Sequence, residues 1–538
     1  MAIIETQVDT SSAEFAERRA AMLDCIDGFR GLEAKVRQTS NAKKELFEKR
    51  GQLLPRERVA MLLDKGSPFL EFSTLVGLGM HDDDGVDSVL GGGVIAGIGF
   101  IAGARCLILA NDSGIKGGTT APMGLQKSLR AQEIALENKL PVVNMIESGG
   151  ANLLYQSEIF VEGGRTFFNQ AKLSAAGIPQ IAVVHGSSTA GGAYRPGMSD
   201  YTIMVQGRSK VYLAGPPLLL AATGEVAAAE DLGGAEMHNT ISGVADYLAA
   251  DDADGLRIAR EIIDRLGWNE GRTAEPPAFK PPRYDVEEIL GIVPVDYRQP
   301  YDVREVIARL VDDSDFLEFK PLYGPHTICG EAAIEGRACA ILGNNGPIDA
   351  DGAAKAAQFI QLMSQAGNPI IYLQNTTGYM VGTEAERAGI VKHGSKMVQA
   401  VSNATVPQIT MMVGASFGAG NYGMCGRSFG PRFVLAWPNN RISVMGGEQA
   451  AKVMSIVTEE KLKRQGKEID REALARSEQK IIDQIDAKST ALFATSRLWD
   501  DGLIDPRDSR RVLAFCLATC AEAEARELNP NTFGVGRM

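Results

Sequence analysis

Two glycine-rich segments hold the residues of this chain best suited to chemistry. The first reads Gly186-Ser187-Ser188-Thr189-Ala190-Gly191-Gly192-Ala193-Tyr194 and the second Gly414-Ala415-Ser416-Phe417-Gly418-Ala419-Gly420-Asn421-Tyr422. Each follows an apolar run and precedes a helical stretch. Glycine lets the backbone approach a ligand closely, and a helix start leaves N–H groups uncovered where the helix dipole favours negative charge. Such a turn binds a phosphate or stabilises an oxyanion. The candidate donors are the N–H groups of Gly191 and Gly192 in the first segment and of Ala419 and Gly420 in the second. A lone Gly-Gly before a helix is more often a packing device, but a matched pair shifts the balance towards function.

The match extends to the elements that must position the turns. The lead-ins are Pro141-Val-Val-Asn-Met-Ile and Pro369-Ile-Ile-Tyr-Leu-Gln, and each proline precedes its turn by 45 residues. Upstream, Arg58 to Asp64 followed by Phe69-Leu70-Glu71-Phe72 resembles Val306 to Asp312 followed by Phe316-Leu317-Glu318-Phe319. Cys106 to Asn111 echoes Cys339 to Asn344, and Val211 to Gly215 pairs with Ile442 to Gly446. A fixed order of similar segments marks an internal duplication. The stretch Gly271 to Pro300, with Pro276-Pro277 and Pro281-Pro282, lacks helical periodicity and is the expected linker. The expected domains are 1–275 and 290–538, each long enough for its own core.

Within both halves short apolar strands alternate with helical stretches, which predicts an α/β fold with repeated crossovers. In the first half these are Cys106 to Ala110, a helix over Gln126 to Asn138, Pro141 to Ile146, a polar loop Glu147 to Asn152, and Gln180 to His185. Glu14 to Lys49 and Val453 to Phe493 read as charged amphipathic helices.

Charge and composition remove several classes. A net charge of −12 over 538 residues argues against a nucleic-acid surface, which needs concentrated Lys and Arg. No apolar run reaches membrane-span length. The seven cysteines are scattered without a Cys-x-x-Cys pair, which fits a reducing compartment and opposes a structural zinc. The acidic start has neither a signal core nor an Arg-rich presequence, so a bacterial cytoplasmic protein is expected. A P-loop is absent, no dinucleotide fingerprint follows the first strand, and no metal-ligand cluster is evident. Gly414-Ala415-Ser416-Phe417-Gly418 does match the Gly-x-Ser-x-Gly elbow of serine hydrolases, yet none of the five histidines, His185 and His393 among them, has triad context. What remains is an enzyme that relies on backbone donors more than on side-chain acids and bases.

Glu147-Ser148-Gly149-Gly150-Ala151-Asn152, Ser188 to Tyr194, Ser416 to Met424, Trp437-Pro438-Asn439 and Val444 to Ala451 together resemble the carboxyltransferase (β) subunits of biotin-dependent acyl-CoA carboxylases. The resemblance covers nearly the whole chain. It implies two tandem crotonase-like (ClpP/crotonase) domains with ββα superhelical repeats, an acyl-CoA thioester against the first and biotin against the second. The active site would join the first domain of one subunit to the second of another. The thioester oxyanion would rest on Gly191 and Gly192, and the charge left on the biotin ureido group on Ala419 and Gly420. Gly150, Ala151, Ser416 and Phe417 become cofactor-binding positions, and Lys127 a contact for a coenzyme A phosphate. No resident metal is implied. The chain has no biotinyl Met-Lys-Met and no ATP-grasp signature, so biotin, ATP and Mg belong to a biotin carboxylase and carrier α subunit. The family also implies an α6β6 assembly.

Asn421 to Arg427 and Trp437-Pro438-Asn439 are similar to the branch acting on 3-methylcrotonyl-CoA and geranyl-CoA, in which the γ carbon is carboxylated. This chain departs from the methylcrotonyl pattern at Leu153-Leu154-Tyr155-Gln156, at a shorter loop Val161-Glu162-Gly163-Gly164, at Ser188 and at Gly197. Smaller residues and a shorter loop leave room for a terpenoid tail, so geranyl-CoA is the favoured substrate. The alternatives are 3-methylcrotonyl-CoA, a decarboxylase coupled to a membrane pump, and a non-catalytic scaffold.

Overall fold

The computed structural model describes residues 2–81, 89–269, 278–466 and 468–536. The expected linker prolines Pro276 and Pro277 lie outside the described residues. Two compact units are present. One, the first-sheet unit, holds Gly31–Ala274, Ser496–Leu498 and Thr519–Met538; the other, the second-sheet unit, holds Met1–Arg30, Glu275–Thr495 and Trp499–Ala518. Packing therefore groups both chain ends differently from the linear division at 1–275 and 290–538. The start of the chain is held by an antiparallel bridge from Ile3 to Asp315 and by Thr6, whose hydroxyl donates to Glu305 at 2.6 Å. The end of the chain packs on the first sheet through Arg105, which pairs with Glu522 at 3.0 Å.

The first-sheet unit is built on strands β1 (Leu70–Glu71), β2 (Val94–Ile101), β3 (Ala104–Asn111), β4 (Val142–Ser148), β5 (Gln180–Thr189), β6 (Tyr201–Val205), β7 (Lys210–Tyr212) and β8 (Tyr247–Ala249). They form an eight-stranded sheet in the order β1-β2-β3-β4-β5-β6-β8, with β7 beside β5. β2 and β3 are an antiparallel hairpin, and the pairs from β3 to β6 are parallel. Parallel neighbours need crossovers, supplied here by helices Pro122–Glu137 and Gln156–Ala175. The second-sheet unit repeats the plan with β9 (Leu317–Glu318), β10 (Thr327–Ile334), β11 (Arg337–Asn344), β12 (Ile370–Thr376), β13 (Gln408–Phe417), β14 (Phe433–Ala436) and β15 (Arg441–Ser443). Its order is β14-β13-β12-β11-β10-β9, with β15 beside β13.

The duplication reaches individual hydrogen bonds. The β2–β3 turn has Ala102 and Gly103 at φ +48° and +75°, and the β10–β11 turn has Glu335 and Gly336 at +47° and +75°. These are the left-handed angles of a two-residue hairpin turn. Asp64 accepts the N–H groups of Ala102 and Gly103 at 2.9 and 2.8 Å, and Asp312 accepts those of Glu335 and Gly336 at 2.9 and 2.7 Å. Each sheet then buries an apolar core, around Ile108, Val143, Val183 and Ile203 in one unit and around Leu342, Tyr372, Phe359 and Met397 in the other. The α/β expectation holds. The helical reading of Val453 to Phe493 resolves into Gly447–Arg464, Arg471–Ala487 and Ala491–Ser496, the first two separated at Gly466, whose φ is +65°.

Candidate active site

Both glycine-rich turns form where a central strand leaves its sheet. β5 pairs with β4 and β6 through Val184, then shifts register and takes β7 as its neighbour at Ser187 to Thr189. β13 does the same with β12 and β14, then with β15 at Ala415 to Phe417. The bend needs glycine. A Cβ on Gly186 would lie 2.7 Å from Glu147 Cγ, and one on Gly414 would lie 2.3 Å from Asn375 Oδ1.

Beyond the bend each strand ends on an extended residue, Thr189 or Phe417, followed by a residue with positive φ. That residue is Ala190 at +54° and Gly418 at +55°. A short helical turn starts there, Ala190–Ala193 in one unit and Gly418–Gly423 in the other. The first N–H groups of a helix have no carbonyl partner within it. Gly191, Gly192, Ala419 and Gly420 stand at those positions, with Gly191 and Ala419 exposed, Gly192 half-buried and Gly420 buried.

The neighbouring loops close on the turns in the same way. Gly150, at φ +89°, donates its N–H to Ser148 Oγ at 3.2 Å and accepts from Thr120 N at 2.8 Å. Gly378 donates to Thr376 Oγ1 at 3.2 Å and accepts from Ile348 N at 2.9 Å. Ala151 is exposed and bridges to Thr120. A Cβ on Gly150 would stand 3.6 Å from Thr189 Oγ1, so Gly150 and the Gly191-Gly192 turn share one place. A Cβ on Gly420 would stand 2.9 Å from Gly378 Cα, so the second turn is packed more tightly on its loop than the first.

Ser416 is fully buried. Its hydroxyl donates to Gln374 Oε1 at 2.6 Å and accepts from Asn421 Nδ2 at 2.8 Å. With both bonds made inside the unit and no histidine among these partners, Ser416 shapes the turn and the hydrolase reading falls away. Phe417 is buried with its ring 5.0 Å from that of Tyr297. Both line a cavity of about 440 Å³ together with Tyr301, Asn375, Ala415 and Gln449. Burial pushes the Tyr301 phenol upward, so it stays protonated and able to donate. Of these cavity residues Phe417 was singled out from sequence but Tyr297 and Tyr301 were not, because they lie at the end of the proline-rich stretch read as linker. Two tyrosines around an arginine in such a stretch were the available signal.

Lys127 is corrected by the structure. It is 2% exposed, and its ammonium donates to the carbonyls of Val94 at 2.6 Å and Gly91 at 3.4 Å. Burial lowers its pKa to about 8. A lysine whose amine is spent on backbone carbonyls inside the unit does not meet a coenzyme A phosphate. The helix Pro122–Glu137 turns that side chain towards the sheet, a direction invisible in a stretch of mixed polarity.

Sequence reasoning also passed over a buried ionic group behind the first turn. Arg58 pairs with Glu147 at 2.7 Å and with Asp252 at 3.1 Å, and Asp252 accepts from His185 Nδ1 at 2.9 Å. His185 is fully buried, and burial followed by the charge of Arg58 lowers its pKa, so it is neutral at pH 7. Burial works against the Asp252 carboxylate, but the His185 hydrogen bond and Arg58 prevail and hold it at about 2. Among the described residues no cluster of three His, Cys, Asp or Glu could hold a metal ion, and no helix is long and apolar enough to cross a membrane.

Two parallel-rich sheets, each ending a central strand in a glycine-rich turn whose first N–H groups have no intrahelical carbonyl partner, describe a crotonase-like enzyme of two repeats. A carboxyl transferase domain model matches residues 47–535, and the chain belongs to that family. The crystal structure of the P. aeruginosa geranyl-CoA carboxylase β subunit aligns over 100% of both chains with 57% identity and a TM-score of 0.94. A probable mitochondrial methylcrotonoyl-CoA carboxylase β chain of Drosophila melanogaster is 47% identical over 100% of this chain and 95% of its own. A probable biotin-dependent acyl-coenzyme A carboxylase β2 subunit of Mycobacterium tuberculosis is 47% identical over the full length of both.

Proposed function

We propose that this chain is the carboxyltransferase subunit of a biotin-dependent acyl-CoA carboxylase that acts on geranyl-CoA. The observation that carries the reading is the duplicated turn, in which two sets of backbone donors with the same geometry serve two developing negative charges. The first turn takes the thioester. Removing a proton from the γ carbon of a 3-methyl-enoyl-CoA spreads charge through the conjugated system to the thioester oxygen, where the N–H groups of Gly191 and Gly192 hold it. A preorganised donor of this kind contributes about 3 kcal/mol to a transition state. The second turn, with Phe417 and the cavity beside it, takes the biotin ring, and the N–H groups of Ala419 and Gly420 face its ureido oxygen. Carboxybiotin carried by the partner would supply the CO2 and a proton acceptor at its ureido group, with Ala419 and Gly420 holding that group beside Phe417. No side-chain base is needed, which agrees with a site built from backbone.

Geranyl-CoA is preferred on the acyl side for a local reason. Gly163 and Gly164 lie within the helix Gln156–Ala175; a Cβ on Gly163 would meet only Ile159 Cγ2 at 3.9 Å, and one on Gly164 nothing within 4 Å. Leu153, Leu154, Phe160 and Val161 are more than 75% exposed in the same segment, an apolar surface suited to a terpenoid tail. The relative of 57% identity carries the geranyl name, whereas the methylcrotonoyl relative is at 47%. A biotin carboxylase and carrier α subunit supplies ATP-dependent carboxylation, and the working form is an α6β6 assembly in the cytoplasm. Reconstitution with that partner tests the reading: kcat/KM for geranyl-CoA should exceed that for 3-methylcrotonyl-CoA. A preference for the shorter thioester would replace geranyl-CoA by 3-methylcrotonyl-CoA, and no transfer to either would leave the scaffold reading.

A further inference from the structure

We infer that Glu147, held by Arg58, is a positioning residue for the acyl side of transfer alone. The inference rests on the assignment of the first turn to the thioester.

Glu147 stands one residue from the end of β4, where the pairing with β5 shifts register. Its side chain is 12% exposed and Arg58, at 2% exposure, binds it at 2.7 Å. Gln52 adds a second contact to the carboxylate at 3.3 Å and donates to the carbonyl of His185 at 2.9 Å. Arg58 also reaches Asp252, and Asp252 holds His185, the residue just before the bend at Gly186. One cluster therefore ties β4 and β5 together at the point where both leave regular pairing.

Glycines close the clamp. A Cβ on Gly186 would lie 2.7 Å from Glu147 Cγ, and one on Gly118 would lie 2.1 Å from the Glu147 carbonyl oxygen. Neither neighbour could carry a side chain without moving Glu147. From Glu147 the path to the donors is short. Ser148 pairs with Ser188 and accepts from Gly150 N, and Ser188 donates to the Gly192 carbonyl at 2.9 Å. A shift of Glu147 is passed through two serines to the turn that carries the Gly192 N–H.

The second copy is held without charge. Asn375 stands where the repeat has Glu147, Val413 where it has His185, and Val306 where it has Arg58. Asn375 Oδ1 accepts from Ala415 N at 3.1 Å and fixes the bend directly. The ionic clamp belongs to the acyl turn only. Its charges do not attract the enolate either: one arginine faces two carboxylates and a neutral His185, an excess of negative charge. Geometry is what the cluster supplies.

The test compares Glu147→Gln with wild type in the reconstituted complex, reading transfer to acyl-CoA and, without acyl-CoA, the loss of CO2 from carboxybiotin. We expect kcat for transfer to fall at least 30-fold, with KM for acyl-CoA within threefold and carboxybiotin decarboxylation within twofold of wild type. Gly186→Ala keeps every charge while its new Cβ displaces Glu147, and should give the same selective loss; it decides the matter where the glutamine variant does not assemble. Wild-type transfer in both variants, or equal loss of both reactions, overturns the inference. A wild-type protein without acyl-CoA-dependent transfer instead overturns the functional reading beneath it.

Discussion

Ala190 and Gly418 adopt the same backbone conformation in the two copies, φ +54° and +55°, although only one of them is glycine. A left-handed angle costs an L-residue about 1–2 kcal/mol, and strain of this kind persists where the surroundings impose it. Ala190→Gly should relieve strain and leave stability unchanged or up to about 1 kcal/mol higher, the gain reduced by the entropy that glycine loses on folding. Gly418→Ala should cost about 1–2 kcal/mol, since its Cβ would also lie 3.1 Å from the Val444 carbonyl. Urea unfolding of both variants checks the opposite signs; equal destabilisation would show that the shared angle is not what sets the cost.

Lys127→Met tests the corrected role of that lysine. Removing the ammonium leaves the carbonyls of Gly91 and Val94 without their donor, an expected cost of about 1–3 kcal/mol. KM for acyl-CoA should stay within twofold. A large rise in KM without loss of stability would restore the phosphate contact.

Acid should weaken the first-sheet unit through His185. Its folded pKa is depressed, so below about 6.5 the unfolded chain takes up a proton that the folded chain refuses, and stability falls as pH drops through that range. Asp252, held at about 2 against 3.8, adds stability above pH 3.8 that is lost as pH falls towards 2. His185→Gln should flatten the fall in stability just below pH 6.5 in urea titrations and, with the imidazole that helps hold Asp252 down removed, also shrink the limb below pH 4. An unchanged slope would contradict a neutral buried histidine.

Filling the glycine gap should alter substrate choice. Gly163→Leu places a branched side chain where only Ile159 is near, and is expected to lower kcat/KM for geranyl-CoA at least tenfold while 3-methylcrotonyl-CoA loses less than threefold. Equal losses for both substrates would place the tail elsewhere.

These relationships were unequally legible in the sequence. The repeat was visible because glycine, proline and aspartate sit at positions where the backbone itself demands them, as at Gly186 and Gly414 or at Asp64 and Asp312. Phe69 and Phe316 were visible for a related reason: each ring lies where a side chain on Gly97 or Gly330 would be, about 2.5 Å from its Cβ position. The Arg58 cluster was not visible, because its partners are 89 and 194 residues away and nothing local marks a charge that will be buried. Lys127 was misplaced for the converse reason, since a lysine near a glycine loop reads as exposed until packing turns it inward. The first 30 residues gave no sign that they pack with the second sheet, because a charged amphipathic helix does not specify its partner.

The most direct test of the paired turns is Gly192→Pro. A Cβ there meets only Ser188 Oγ, at 3.3 Å, so the substitution deletes one N–H against a single close side-chain contact. In the complex with the biotin-carrying partner, transfer of labelled carboxylate to geranyl-CoA should fall at least 100-fold while ATP-dependent carboxylation of biotin proceeds at the wild-type rate. Transfer at the wild-type rate would show that the thioester oxyanion does not rest on the Gly191-Gly192 turn.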